Sequence, residues 1–201
     1  MLLLSLDTAS TTLSLSLFEN EKVLAKFDET MLRGQAERLI PEIQELFKTA
    51  GRNVNELSGV AVGVGPGSFT GVRVALSTAR GFALALNVPV MGVSSLEAYA
   101  YESKEDIFVA LDTKRGDFYV AGFNKDLEEV FSPRVMTMDE IKILNPKLIA
   151  SDVADLFEQE GFNVRKNDFS LSEQIAKIAL ARGENNLPAE PLYLREADVT
   201  L

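Results

Sequence analysis

Val60-Ala61-Val62-Gly63-Val64-Gly65-Pro66-Gly67-Ser68-Phe69-Thr70-Gly71-Val72-Arg73 is the stretch that decides how the chain folds. A β-branched run enters a loop of glycines, an alanine-rich helix follows over 70–86, and Val88-Pro89-Val90-Met91-Gly92-Val93 forms a second β-branched run. The pattern is strand, loop, helix, strand, with Ser68 and Thr70 placed to cap the helix. A loop of this kind either cradles an anion on its backbone N–H groups or lets a strand turn sharply into a closely packed helix. Its glycines fit neither the phosphate-binding P-loop, since no Gly-Lys-Ser/Thr follows, nor the dinucleotide fingerprint.

Upstream, residues 2–6 read as a buried strand and Asp7-Thr8-Ala9-Ser10-Thr11-Thr12 as a polar turn. Leu13, Leu15 and Leu17 alternate with serines, which puts them on one face of a second strand. A third strand over 22–30 has Val23, Ala25 and Phe27 on one face. Leu39, Ile40, Ile43, Leu46, Phe47 and Ala50 recur at helical spacing, with Gly51 to close the helix and Pro41 near its start. The first half therefore reads β-β-β-α-β-α-β, the order of a ribonuclease-H-like lobe. Ser94-Ser95-Leu96-Glu97 is a capping box that opens a linking helix. The polar Lys104-Glu105-Asp106 marks the expected boundary, giving lobes of 1–104 and 105–201.

The second half echoes the first. Ile107-Phe108-Val109-Ala110-Leu111-Asp112-Thr113 repeats an apolar strand ending in Leu-Asp-Thr, followed by a polar turn and a second apolar strand. That recurrence in one context points to two related lobes. A third strand is expected over 127–131, with a helix capped by Thr137 and Glu140, a strand over 148–150 and a helix over 151–160. Ser170 to Glu173 forms another capping box, which opens a helix with Leu171, Ile175, Ile178 and Ala179 inward. Beyond it the tail 187–201, with Pro188 and Pro191, is expected to be extended.

The chain has 201 residues, no cysteine and no histidine. This excludes disulfides, thiolate nucleophiles, a Ser-His-Asp triad and His or Cys metal sites. A formal net charge of −10 opposes strong direct binding to nucleic-acid phosphates. The N-terminus lacks the basic region of a signal peptide, and no apolar run reaches the roughly 18 residues of a membrane helix, so a cytoplasmic location is expected.

Two lobes that each present an aspartate in a strand-turn are how actin-like and sugar-kinase-like proteins hold a metal–nucleotide. On that reading Asp7 and Asp112 organise the metal while Thr8, Ser10 and Thr113 contact phosphate oxygens. The bland reading is that both aspartates only make turn hydrogen bonds. Ile149-Ala150-Ser151-Asp152-Val153 lacks the glycine pair that would let an adenosine approach the second lobe. The helix over 70–86 is apolar nearly all round: Gly71, Val72, Ala75, Leu76, Ala79, Phe82, Ala83 and Leu86 cover one face. Val74, Thr78, Gly81 and Ala85 occupy another, leaving Arg73, Ser77 and Arg80 as a polar stripe with Leu84 beside it. Such a helix is buried on both sides, by another subunit or by its own neighbours.

Gly63 to Arg73, Ala36-Glu37-Arg38-Leu39-Ile40-Pro41, residues 83–98, residues 2–16 and Tyr193-Leu194-Arg195 together resemble the TsaB (YeaZ) family. The resemblance covers the N-terminal lobe almost continuously and the C-terminal lobe loosely. It implies an α/β protein with two lobes of the actin-like (ASKHA) fold, mixed sheets and a reduced C-terminal lobe. It further implies a non-catalytic scaffolding subunit, supporting the paralogue TsaD and the ATPase TsaE in threonylcarbamoyl transfer to the adenosine beside the tRNA anticodon. Family members pair through N-terminal-lobe helices, as homodimers or with TsaD, which puts Arg38, Leu39, Val72, Arg73, Leu76, Arg80 and Ala83 at the expected interface. No cofactor is required on this reading. A vestigial nucleotide site at Asp7, Thr8, Ser10, Asp112 and Thr113 would bind ATP or ADP weakly or in a shared manner, with tRNA touched only indirectly and no membrane involved. Where the catalytic paralogue has His-x-x-x-His metal ligands, this chain has Ser95 and Tyr99, and Gln35 stands where the family often has histidine. The rival from another class is a nucleotide-dependent transferase or kinase that uses Asp7 and Asp112.

Overall fold

The computed structural model describes residues 1–31 and 33–195. The part of the expected tail beyond Arg195 lies outside them.

Three strands, β1 (Leu2–Asp7), β2 (Thr12–Glu19) and β3 (Lys22–Thr30), form the expected antiparallel meander. The chain continues through α1 (Gln35–Ala50), β4 (Gly59–Gly63), α2 (Phe69–Leu86) and β5 (Val90–Val93). The sheet runs β3-β2-β1-β4-β5, with β4 parallel to both β1 and β5. This is the β-β-β-α-β-α-β order read from the sequence. Leu2, Leu4, Leu6, Leu13, Leu15, Leu17, Val60 and Val62 line one face, on which α1 lays Leu39, Ile43, Leu46 and Phe47 and α2 lays Val72, Ala75, Leu76 and Ala79. A register shift at Leu17/Phe18 brings Val23 opposite Phe18 and takes it out of line with Ala25.

The other face of this sheet is not wet. Ser5, Ser14 and Ser16 are fully buried, because α6 (Leu171–Arg182) lies across β1, β2 and β4. Its first turn is fixed by hydroxyls: the Ser172 N–H donates to Ser14 Oγ at 2.9 Å, and Ser170 Oγ donates to Asp28 Oδ1 at 3.0 Å. Lys26 pairs with Glu173 at 2.8 Å beside them. Ser170 therefore turns to the sheet and does not cap its own helix with its side chain.

The chain divides into one unit of Met1–Ser95 with Phe169–Leu192 and another of Leu96–Asp168 with the residues from Tyr193 on. This corrects the boundary expected at 104/105 and the assignment of all of 105–201 to a second lobe. Leu171, Ile175, Ile178 and Ala179 do point inward, but onto the first sheet.

After α3 (Ser95–Ala100), the second unit carries β6 (Ile107–Asp112), β7 (Phe118–Phe123), β8 (Glu129–Met136), α4 (Met138–Leu144), β9 (Ile149–Ser151) and α5 (Ala154–Gln159). Its sheet runs β8-β7-β6-β9, with β6 and β9 parallel. The third strand sits later and runs longer than the expected 127–131. Thr137 and Glu140 form the anticipated capping box of α4. Ile141 and Phe157 pack on one face with Phe118 and Val120, while Leu96 and Ala100 cover Ile107, Val109 and Leu111 on the other.

Candidate functional site

The glycine loop and the turn after β1 are packed into one another. Asp7 is fully buried. Its Oδ1 accepts the Ala9 N–H at 3.0 Å, and its Oδ2 occupies the space a side chain at Gly63 would need, 1.9 Å from where a Cβ would stand. Thr8, also fully buried, donates its hydroxyl to the Gly71 carbonyl at 2.6 Å. A Cβ on Gly71 would lie 1.9 Å from the Thr8 carbonyl oxygen, and one on Gly67 would lie 2.4 Å from the Ala9 carbonyl oxygen. The Ser68 N–H donates to that Ala9 carbonyl at 2.7 Å. Three glycines thus serve one purpose: they let the loop and the start of α2 close directly on Asp7-Thr8-Ala9. Of the two readings of the loop, this geometry is that of the tight turn.

Ser10 closes the same turn locally, its Oγ accepting the Thr12 N–H at 3.1 Å and its carbonyl accepting from Gln35 Nε2 at 2.9 Å. Burial pushes the Asp7 carboxyl up to about 6, against the pull of the Ala9 and Ser10 N–H groups and the Ser95 hydroxyl. The Ser95 contact is loose, since Asp7 Oδ2 and Ser95 Oγ both lack a partner at hydrogen-bond geometry.

In the second unit the corresponding turn faces itself. Asp112 Oδ1 accepts the Lys114 N–H at 2.7 Å and Oδ2 pairs with Lys114 Nζ at 2.8 Å. The Asp112 N–H donates to Asp152 Oδ1 at 2.9 Å. Burial raises the Asp152 carboxyl above its usual range, partly offset by that N–H and by the Lys114 charge. Thr113 donates to the Asp117 carbonyl at 3.0 Å, and the Asp117 carboxylate, which also pairs with Arg195, is held below the usual range chiefly by that guanidinium. Four of the five expected nucleotide contacts, Asp7, Ser10, Asp112 and Thr113, hydrogen-bond within their own turns, while Thr8 bonds the first turn of α2. Asp7 lies against Gly63 and Thr8 against Gly71, where a side chain at either glycine would collide with them. Among the described residues no three His, Cys, Asp or Glu side chains gather to hold a metal, and no helix is long and apolar enough to cross a membrane.

The residues expected at a subunit interface separate by burial. Leu39, Val72 and Leu76 are 1 %, 1 % and 3 % exposed, within their own core. Their side chains offer nothing to a partner, and the helix face that carries them is the one laid on the sheet. The other face of α2 is open: Ser68, Phe69, Thr70, Arg73, Ser77, Arg80, Gly81, Leu84 and Ala85 are exposed, and Ala83 is half-buried. Arg73 stacks on Phe69 with its Cζ 3.6 Å from the ring centre. Arg80 donates to the Ala189 carbonyl, and Arg38 on α1 is held between Glu29 and Glu42. Leu84, an apolar residue outside the expected interface set, is 88 % exposed. Its place beside the polar stripe was the available signal. Nothing among the described residues lies within 4 Å of a Cβ added at Gly81, so no contact among them calls for a glycine there.

Residues 27–189 match the family model described as TsaD: tRNA N6-adenosine threonylcarbamoyltransferase. The chain is 29 % identical to the tRNA threonylcarbamoyladenosine biosynthesis protein TsaB of Escherichia coli (strain K12), over 97 % of this chain and 95 % of that protein. It is 30 % identical to the TsaB protein of Bacillus subtilis (strain 168), over 73 % of this chain and 67 % of that one. The solved structure of YeaZ from Pseudomonas aeruginosa superposes with a TM-score of 0.78 at 27 % identity, covering 96 % of this chain and 99 % of the other.

Proposed function

Because the chain belongs to the TsaB (YeaZ) family, we propose that it is a non-catalytic subunit in the synthesis of threonylcarbamoyladenosine in tRNA. It supports a TsaD-type catalytic paralogue, with a TsaE-type ATPase, and pairs with itself when that partner is missing. The observation that carries this reading is the open face of α2. A leucine that is 88 % exposed sits one turn from a helical glycine with free space above it. An exposed glycine inside a helix costs about 1 kcal/mol relative to alanine, and close approach of a second helix offsets that cost.

Two features support a role without chemistry of its own. The sequence has no histidine or cysteine, and Asp7 Oδ1 and both carboxylate oxygens of Asp112 are bonded within their own turns. On this reading no resident nucleotide is needed. The work of the chain is to present α2 to the paralogue in the cytoplasm, with tRNA bound mainly by the partner.

Substitution at Leu84 tests the reading, since it lies outside the core. Leu84→Asp is expected to weaken both the homodimer and the mixed complex by about 2 kcal/mol or more, through a charge left unpaired in an apolar contact. Its circular dichroism and Tm should match those of the original chain. Retention of both complexes at unchanged affinity would move the interface elsewhere. Modification assays complete the test: tRNA should be modified only when the paralogue and the ATPase are added. Turnover by the chain alone, abolished by Asp7→Ala, would overturn the non-catalytic assignment.

A further inference from the structure

Between Glu56 and Glu97 the only charged side chains are Arg73 and Arg80. The chain as a whole has 30 acidic and 20 basic residues, so a stretch of this length with two cations and no carboxylate differs in kind from the rest. The acidic excess lies mainly in residues 96–168, which hold 16 acids and 9 bases, whereas residues 1–95 are close to balance with 9 and 8. Both arginines are exposed on the open face of α2, two turns apart, or about 10 Å along the helix.

Each guanidinium is held in place. Arg73 lies over the Phe69 ring, its Cζ 3.6 Å from the centre, a stacking that fixes the planar group before any partner arrives. Arg80 donates to the Ala189 carbonyl, a neutral acceptor, and among the described residues no carboxylate pairs with it. A carboxylate would bond such a group more strongly than a carbonyl does. Ser77, Gly81 and Ala85 follow Arg73 at four-residue spacing and are exposed with it. A ridge of side chains this small admits a second helix closely, and Leu84 beside it offers apolar contact. Arginines also attract nucleic-acid phosphates, but an exposed leucine and a glycine ridge give a phosphate backbone nothing to bind, and the net charge of −10 repels it.

We propose that the open face of α2 takes a helix of the catalytic paralogue whose facing side is acidic, and that Arg73 and Arg80 are the residues that select it. The proposal rests on α2 being the docking face and adds the chemistry of what docks there. Leu84 and the ridge at Gly81 set how tightly the helices hold, while the arginines set which helix is admitted and how fast it arrives.

The test is the rate at which the full chain associates with a TsaD-type paralogue, measured from about 50 to about 500 mM NaCl. That rate is expected to fall about tenfold over the range, as it does for partners of opposite local charge. At the low-salt end Arg73→Glu should slow association about tenfold and remove the salt dependence, with dissociation changed by about twofold or less. Arg73→Lys keeps the charge and should restore most of the rate. Arg80→Gln keeps a donor for the Ala189 carbonyl but not the charge, and should slow association about threefold. Leu84→Asp separates this proposal from the docking reading beneath it. If Leu84→Asp weakens the complex while neither arginine variant alters the salt dependence, α2 docks its partner without selecting for charge, and the proposal falls alone. If Leu84→Asp also has no effect, the docking face itself lies elsewhere. A loss on Arg73→Glu confined to the homodimer would make a second copy the acidic occupant. Binding of tRNA by the chain alone, abolished by Arg73→Glu, would make the occupant a nucleic acid. Either of these last results overturns the assignment.

Discussion

The two units end their first strand on the same tripeptide, Leu-Asp-Thr, and use it in opposite ways. In the first, β1 runs beside β4 with Leu6 opposite Val62, so Asp7 comes level with Gly63 and folds its carboxylate into the space that glycine leaves. In the second, Ala110 lies opposite Ser151, and the next residue of the neighbouring segment is Asp152, whose carboxylate takes the Asp112 N–H. The Asp112 carboxylate turns outward to Lys114. Identical residues are thus assigned by the strand beside them. A glycine there draws the aspartate inward, whereas a carboxylate there leaves it at the surface.

The largest effect that could break this contrast comes from filling the first unit's close contact. In Gly71→Ala the new methyl would stand 1.9 Å from the Thr8 carbonyl oxygen. Backbone cannot yield as a side-chain end can, so a loss of about 3 kcal/mol is expected, seen as a fall in Tm of roughly 10 °C. Gly116→Ala, in the second unit's turn, meets nothing within 4 Å and has only its φ of +84° to oppose it. It should cost about 1 kcal/mol. Thermal unfolding of the pair decides: equal losses would mean that the glycine loop is not closed on the first turn.

Next comes the pH dependence of Asp7. Burial raises this carboxyl from 3.8 to about 6, so between those values the folded chain keeps a proton that the unfolded chain has released. The contribution to stability is therefore present at low pH, is lost as pH rises towards about 6, and leaves a penalty above it. Two pKa units correspond to about 3 kcal/mol. Asp7→Asn keeps an oxygen for the Ala9 N–H and removes the charge. Its stability relative to the original chain should climb from pH 4 to 6 and then level off, while Asp112→Asn, which loses one exposed ion pair, should change stability by less than about 1 kcal/mol at any pH. Urea titrations across pH 4–8 give both curves. A flat difference for Asp7→Asn would show that the buried carboxylate is compensated in a way the geometry lacks.

Much of the first unit was legible because its signals are local. Leucines alternate in β2, apolar residues recur in α1, and glycine followed by a serine cap announces α2. What was not legible depends on which surface meets which. Ser14 and Ser16 alternate with leucines as they would on a wet face, yet both are fully buried beneath α6. The inward residues of α6 would suit any sheet, so nothing in their spacing said that the helix belongs with the first unit. The apolar circumference of α2 marked Val72 and Leu76 and its outer stripe equally as interface. Only the position of the sheet tells that these two are spent inside and that Leu84 is not. For the candidate site, the residue types of the two turns were readable, but the roles of Asp7 and Asp112 were not, because they hang on strand register.

The smallest effect concerns the threonines that follow the aspartates. Thr8 and Thr113 both donate a hydroxyl to a backbone carbonyl, at 2.6 Å to Gly71 and 3.0 Å to Asp117 respectively. Thr8 is fully buried, whereas Thr113 is only half-buried. Replacement by valine keeps the shape and removes the donor. At Thr8 it leaves the Gly71 carbonyl with only its own helical bond in a dry contact, at a cost of about 1–1.5 kcal/mol, whereas water can take over at Thr113 and hold the loss to about 0.5 kcal/mol. The measured quantity is the difference between the two variants in urea midpoint at pH 7. A Thr113→Val loss equal to that of Thr8→Val would mean that both turns are equally dry, and the contrast between a buried and a surface aspartate would then rest on the aspartates alone.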